Sequence, residues 1–244
     1  MDFMNTVRLA LRALARNKMR SALTMLGIII GVSAVIATVS IGQGAQYLVQ
    51  QGIQNMGTNA VFIAAGSRLT PTGPRGGVGA VKTLTMDDLN AILREVPLIR
   101  TAAPAVNARV QVVYQNQNWN TSITGTTEQY LEIRNWAVQE GSMFGQQEVD
   151  SAANVCVIGT TVKSVLFGNA DPVGQTIRIG QNPFQVIGLL ESKGQSVMGT
   201  DQDDTIFAPY TTVQRKISGI TWLQAINASA ISPQASIAAI EPIT

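Results

Sequence analysis

One stretch limits what this chain can fold into more than any other: Leu23–Gly42, LTMLGIIIGVSAVIATVSIG. It is twenty residues without a charge, an Asn, a Gln or a Pro, and ten of them are Leu, Ile or Val. As a helix rising about 1.5 Å per residue it measures roughly 30 Å, the hydrocarbon thickness of a bilayer. Three fates are open to such a run: a buried core helix, a cleaved signal, or an anchor. A signal's apolar region is shorter, about 7–15 residues, and the small-x-small site Ser40-Ile41-Gly42 falls only at the very end of the run. The spacing and length predict an uncleaved transmembrane helix over 21–43. Five cations precede it (Arg8, Arg12, Arg16, Lys18 and Arg20) against a single acid, Asp2. Such a bias keeps the N-terminus in the cytoplasm and exports the chain beyond Gln43.

Residues 1–20 form the predicted cytoplasmic leader. Phe3, Val7, Leu11 and Leu14 recur at helical spacing, and Arg8, Arg12 and Arg16 make a basic row at i, i+4 and i+8. Stacked like charges repel unless something anionic neutralises them. Lipid headgroups would do so, at about 1 kcal/mol per cation; a charge cluster that only sets topology reads equally well. Within the span, Gly27 and Gly31 form a GxxxG that Ala34 and Thr38 extend into a small-residue stripe. Lipid alone gives no reason for such a face, which suits close approach of another helix.

Beyond the span, residues 44–59 turn rich in Gln but keep apolar helical spacing through Ile41, Ala45, Leu48, Val49 and Ile53. We read them as a stalk helix ending near Gly57. The exported remainder, 60–244, alternates strand and helix patterns. AVFIAAG (60–66) reads as a strand and 66–83 as a Gly/Pro loop. Thr85 and Asp88 form a capping box opening a helix through Glu95. ARVQVVYQ and WNTSITGTT pair as a hairpin across Asn-Gln-Asn, and EQYLEIRNW is a short helix. NVCVIG is a strand followed by a helix closed by Gly168. VGQTIRIG and FQVIGLLES form a second hairpin over Gln181-Asn182-Pro183. DTIFAPY is a strand, TTVQRKI a helical turn, LQAINASAI a strand, and Ser232-Pro233 caps a final helix. Hairpins mixed with helices indicate an α+β fold.

Composition narrows the chemistry. There is no His, so imidazole metal sites and Ser/His/Asp or Cys/His catalysis are excluded. Outside the leader the balance is slightly acidic, with no basic face for nucleic acid. The lone Cys156 lies in an apolar strand and reads as a small buried hydrophobe. The glycines of 66–83 are not followed by Gly-Lys-Ser/Thr, so no phosphate loop is read there. The densest polar cluster is Gly199-Thr-Asp-Gln-Asp-Asp204, where Asp201, Asp203 and Asp204 could in principle hold a hard cation. Its spacing lacks the glycine and distal Glu of a calcium loop, and a solvated loop is the preferred reading. No catalytic, cofactor-binding or metal residues are assigned.

Taken together, LALRALARNKMRSALTMLGIIIGV, the Gln-rich stalk, VIGTTVKSVLFGNADPVGQTIRIG and FQVIGLLESKGQSVMGTDQDDTIFAPYTTVQRKI resemble the permease subunits of MacB-type ABC transporters. That group also includes lipoprotein-releasing and FtsX-like permeases. The resemblance implies a periplasmic core with a porter-like part (about 60–126 and 204–244) and an inserted subdomain (about 127–203). It implies a cytoplasmic ABC ATPase as a separate polypeptide that binds the ATP, so this chain itself carries no cofactor. It further implies a second permease copy, a periplasmic membrane-fusion adaptor, and inner-membrane lipids as surroundings. Gly199, Asp201, Gln202, Asp203 and Asp204 would then be a partner-contact loop.

Family members carry four transmembrane helices, and this chain stops at Thr244, before the last three, so the resemblance implies the first half of a permease. The function expected is non-enzymatic: passing ATP-driven motion to a periplasmic domain that moves hydrophobic cargo such as macrolides, peptides or lipoproteins. The alternative is a complete single-span periplasmic binding or adaptor module. An anchored hydrolase fits poorly without His or an activated nucleophile.

Overall fold

The computed structural model describes residues 3–55, 59–66, 82–196 and 199–239. Most of the expected loop 66–83, the end of the stalk near Gly57 and the last residues of the final helix fall outside these. Two compact units are present, residues 1–50 and 51–244.

The first unit is helical. Helix α1 (Phe3–Arg16) is followed after Asn17 by α2 (Lys18–Asn55), one unbroken helix of 38 residues. Lys18–Tyr47 is long and apolar enough to cross a membrane, and no residue of its most apolar stretch is buried. The basic residues of the leader, and Gly27, Gly31, Ala34 and Thr38, are all exposed. Thr38 returns its hydroxyl to the carbonyl of Ala34 at 2.9 Å, which satisfies it inside an apolar helix. A side chain added at Gly27 or Gly31 would meet nothing within 4 Å.

Among its described residues the second unit has nine strands. They are β1 (Ala60–Ala64), β2 (Ile99–Tyr114), β3 (Gln117–Thr126), β4 (Val138–Gly141), β5 (Val155–Ile158), β6 (Thr176–Ile179), β7 (Asn182–Leu190), β8 (Thr205–Pro209) and β9 (Ala225–Ala230). Six of them close on themselves: β2 pairs β3, β3 pairs β8, β8 pairs β5, β5 pairs β7, β7 pairs β6, and β6 returns to β2. A barrel of so few strands is filled by its own side chains. Val110, Val112, Ile123, Cys156, Ile158, Ile177, Ile179, Phe184, Val186 and Ile206 supply that filling, all at most 8% exposed. Alternation along each strand selects them. On β5, Cys156 and Ile158 join the larger core, while Val157 between them joins a smaller one with Trp136, Phe144, Val149, Leu190 and Phe207.

Strand β2 belongs to two sheets. Its first half pairs β9, which in turn pairs β1, and its second half belongs to the barrel. Its residues beyond the expected 108–115 include Pro104, normally a strand breaker. Pro104 precedes Val106, where pairing to β3 begins, so its missing N–H leaves no ladder bond unmade.

The helices cover these sheets. They are α3 (Met86–Glu95), α4 (Gln129–Ile133), α5 (Gln146–Asp150), α6 (Thr160–Leu166), α7 (Tyr210–Thr212) and α8 (Pro233–Ala238). Helix α3 starts at the expected capping box: Thr85 accepts from the Asp88 amide at 3.3 Å, and Asp88 accepts from the Thr85 amide at 2.7 Å. The Ser232 hydroxyl accepts from the Ala235 amide at 3.1 Å and caps α8.

Three details depart from the sequence reading. Both hairpins turn on two residues rather than three: Gln115-Asn116, with Gln115 at φ 51°, and Gly180-Gln181, with Gly180 at φ 59°. Left-handed backbone at the turn matches the twist of the strands. The helical turn TTVQRKI is split between α7 and a π-helical turn, Val213–Ser218. Strand β4 and helix α5 carry too few apolar residues to have shown a period.

Candidate functional site

The acidic loop is not the solvated segment that its composition suggests; it is a folded clamp. The chain leaves β7 at Leu190 and returns to β8 at Thr205 through a small hairpin. Its backbone bonds run from Gln202 N to Gly194 O at 3.1 Å and from Ser196 N to Thr200 O at 2.8 Å, with Gln195 bridged to Asp201. Asp203 sits at its base and is only 4% exposed. Its carboxylate accepts from the Ser192 hydroxyl at 2.5 Å, the Lys193 amide at 2.8 Å and the Gly194 amide at 3.0 Å. Burial alone would raise its pKa. The bonds from Ser192, Lys193, Gly194 and Thr160 outweigh it and hold the carboxyl below its usual range.

The other two acids point elsewhere. Asp204, half-buried, accepts from the Trp119 indole at 2.8 Å and the Thr121 hydroxyl at 2.6 Å, both on β3. Asp201 accepts from the Thr161 hydroxyl at 2.7 Å and the Asp203 amide at 2.9 Å. Each carboxylate thus serves a different neighbour, so the three do not converge on a shared cation. Among the described residues no three metal-ligating side chains cluster. Gly199 and Asp201 are exposed, Gln202 half-buried.

The stem of the clamp is anchored by residues that sequence reading missed. The Trp136 indole donates to the Glu191 carbonyl at 2.7 Å. The Lys193 ammonium lies 5.0 Å from the centre of the Trp136 ring and donates to the Arg134 carbonyl. Its pKa is lowered to about 8, first by burial and then by Arg134, with Asp203 opposing. Under the loop, a Cβ on Gly159 would lie 2.1 Å from the Asp203 carbonyl. That close approach requires glycine. Partners 55 or 85 residues apart in sequence leave no local pattern, and only the lone glycine before α6 marked the place.

In the clamp Asp201, Asp203 and Asp204 all have hydrogen-bond donors, and in the barrel the thiol of Cys156 is fully buried with its pKa pushed up by burial. The model of the MacB-like periplasmic core domain matches residues 21–243. Similar curated proteins include the macrolide export ATP-binding/permease protein MacB of Syntrophobacter fumaroxidans, 41% identical over 96% of this chain and 33% of the relative. The MacB of Rhodopirellula baltica is 38% identical over 89% of this chain and 31% of the relative. The chain thus spans about a third of the length of these relatives. In fold it is similar to the periplasmic region of MacB from Actinobacillus actinomycetemcomitans (TM-score 0.62, 24% identity, 78% of this chain and 85% of that one). It is likewise similar to the extracellular domain of the ABC-type transporter YknZ (TM-score 0.60, 16% identity, 74% and 88%). A long apolar helix leading into a closed six-stranded barrel, matched by that family model over nearly its whole length, places this chain in the family of MacB-like periplasmic core domains of ABC-type permeases.

Proposed function

We propose that this chain is the anchored periplasmic core of an ABC-type export permease, passing ATP-driven motion from the membrane to periplasmic cargo. The observation that carries this reading is α2, a single helix without a break through Lys18–Asn55. A continuous helix is stiff along its axis, so a displacement at its cytoplasmic end is delivered beyond the bilayer. Motor and ATP would come from an ABC ATPase. The chain lies in the bacterial inner membrane with its N-terminus cytoplasmic, its leader cations on lipid headgroups, and Gly27, Gly31, Ala34 and Thr38 against a helix of a second copy or another span.

In the exported part, 60–126 with 204–244 would be porter-like and 127–203 the inserted part. The barrel takes strands from both, so on this reading they share a core. The rim of the clamp, exposed Gly199 and Asp201 with half-buried Gln202, would meet an adaptor, while Asp203 and Asp204 hold its shape. The cargo class is hydrophobic, with macrolides favoured by the names of the relatives.

The test is a graft. Residues 21–243 replace the matching segment of the Syntrophobacter fumaroxidans relative, and the chimera is assayed for ATP hydrolysis and erythromycin export. Export that depends on hydrolysis supports the reading. A chimera that folds and hydrolyses ATP without moving the macrolide overturns macrolide export. If hydrolysis also stops responding to the adaptor, the motion-transmitting role falls too.

A further inference from the structure

Strand β2 changes partner along one edge, and the change leaves a gap. The pairing with β9 ends at Ala105, and the pairing with β6 begins at Val112. The amide of Asn107 on that edge is taken by the Gln224 side chain at 2.8 Å, and the carbonyl of Gln111 by the Gly180 amide at 2.9 Å. Backbone direction alternates along a strand, so Arg109, midway between them, aims its N–H and C=O the same way. Among the described residues no strand stands opposite. From Ala105 to Gln111 the opening measures roughly 20 Å at about 3.4 Å per residue, room for a few extended residues.

The gap is also a cleft of about 540 Å³, lined by Arg109, Gln111, Gly180, Gln181, Asn182 and Lys216 among others, a volume in the ordinary range of ligand sites. No described lining residue carries a carboxylate. The Lys216 ammonium is committed to the Ala152 carbonyl at 3.0 Å and to Asn154 Oδ1 at 2.7 Å. The exposed Arg109 guanidinium, by contrast, makes no hydrogen bond or ion pair with any described residue. An open strand edge and a free planar cation thus share one residue, with carboxamides around them.

We propose that this cleft docks an extended peptide segment bearing a carboxylate. The segment pairs its backbone with Arg109, as strands are added at exposed edges. It places its carboxylate, from a side chain or a chain end, on the Arg109 guanidinium in the bidentate geometry that guanidinium favours. Charge complementarity selects this occupant: a cationic cleft without acids rejects a basic segment, and the unmet N–H and C=O select a backbone.

The experiment uses the whole chain in detergent micelles, isotope-labelled at arginine and glycine, titrated with short peptides and followed by NMR, the Gly180 amide in the cleft reporting in the native chain and in R109Q alike. Arg109→Gln identifies the Arg109 signals; it removes an exposed side chain without partners, so folding is unaffected. The probes are Ala-Val-Thr-Val-Ala as free acid and as amide, Ala-Val-Glu-Val-Ala amide, and the free acid with its central amide N-methylated. The expected result is saturable shifts at Arg109 with a carboxylate peptide and binding about tenfold weaker for the neutral amide, the loss of one charge-assisted contact. In R109Q that difference vanishes, and N-methylation weakens binding in the native chain. Whether the free acid or the Glu amide binds better tells a chain end from a side chain, and either supports the proposal. Equal binding by the neutral amide, unchanged binding in R109Q, indifference to N-methylation, or no shift from any peptide up to about 10 mM overturns it.

Discussion

At the scale of single residues, the acidic loop shows how burial and partners change the meaning of a charge. Asp203 is a buried acceptor for three donors on the strand exit opposite it, so Asp203→Asn places an amide NH2 where only N–H and O–H groups converge. We expect a loss of about 2–3 kcal/mol, the worth of hydrogen bonds to a charged group, read as an earlier urea midpoint at pH 7. The pH dependence has a definite sign. The folded-state pKa of Asp203 is held below the unfolded value, so its contribution is complete above about pH 4 and drains as pH falls through the lower folded value. The variant should therefore lose less stability than the parent between about pH 5 and about pH 2. Equal acid slopes in the two proteins would show that the carboxylate is not the linked group.

At the scale of elements, α2 carries its information on one face. Gly27, Gly31, Ala34 and Thr38 leave a shallow face of small residues beside Leu, Ile and Val. Filling it with Gly27→Leu and Gly31→Leu keeps the helix insertable, since Leu favours the bilayer. The double variant should weaken association between labelled copies in proteoliposomes by about fivefold, close to 1 kcal/mol, measured by energy transfer at fixed protein-to-lipid ratio. Unchanged transfer would assign the stripe to lipid. Among the extramembrane elements, α3 and β3 were readable because a capping box and a clean alternation are local. Strand β4 was not, since its residues Val138–Gly141 are mostly polar and exposed and are held by pairing to β7 rather than by a pattern of their own.

At the scale of the molecule, the proposed orientation can be read with the protein's own cysteine as a silent background. Cys156 is fully buried and its thiol is held protonated by burial, so it does not label. Asn5→Cys and Asp171→Cys each add one exposed thiol in a different unit. In intact spheroplasts, Asp171→Cys should react with a membrane-impermeant maleimide, and Asn5→Cys only after lysis. The reverse pattern would invert the topology.

The amino-acid sequence by itself determined the apolar span, the charge bias beside it, the α+β character, most strand and helix positions, and the absence of imidazole chemistry. These come from composition and short-range periodicity, which a chain carries whatever its neighbours are. Tertiary structure alone decided that six strands close into a barrel, that Asp203 lies beneath a clamp anchored by Trp136 and Lys193, and that β2 leaves an open edge at Arg109. Each of these depends on which distant segments meet, and pairing across tens of residues is set by the packing of the whole core.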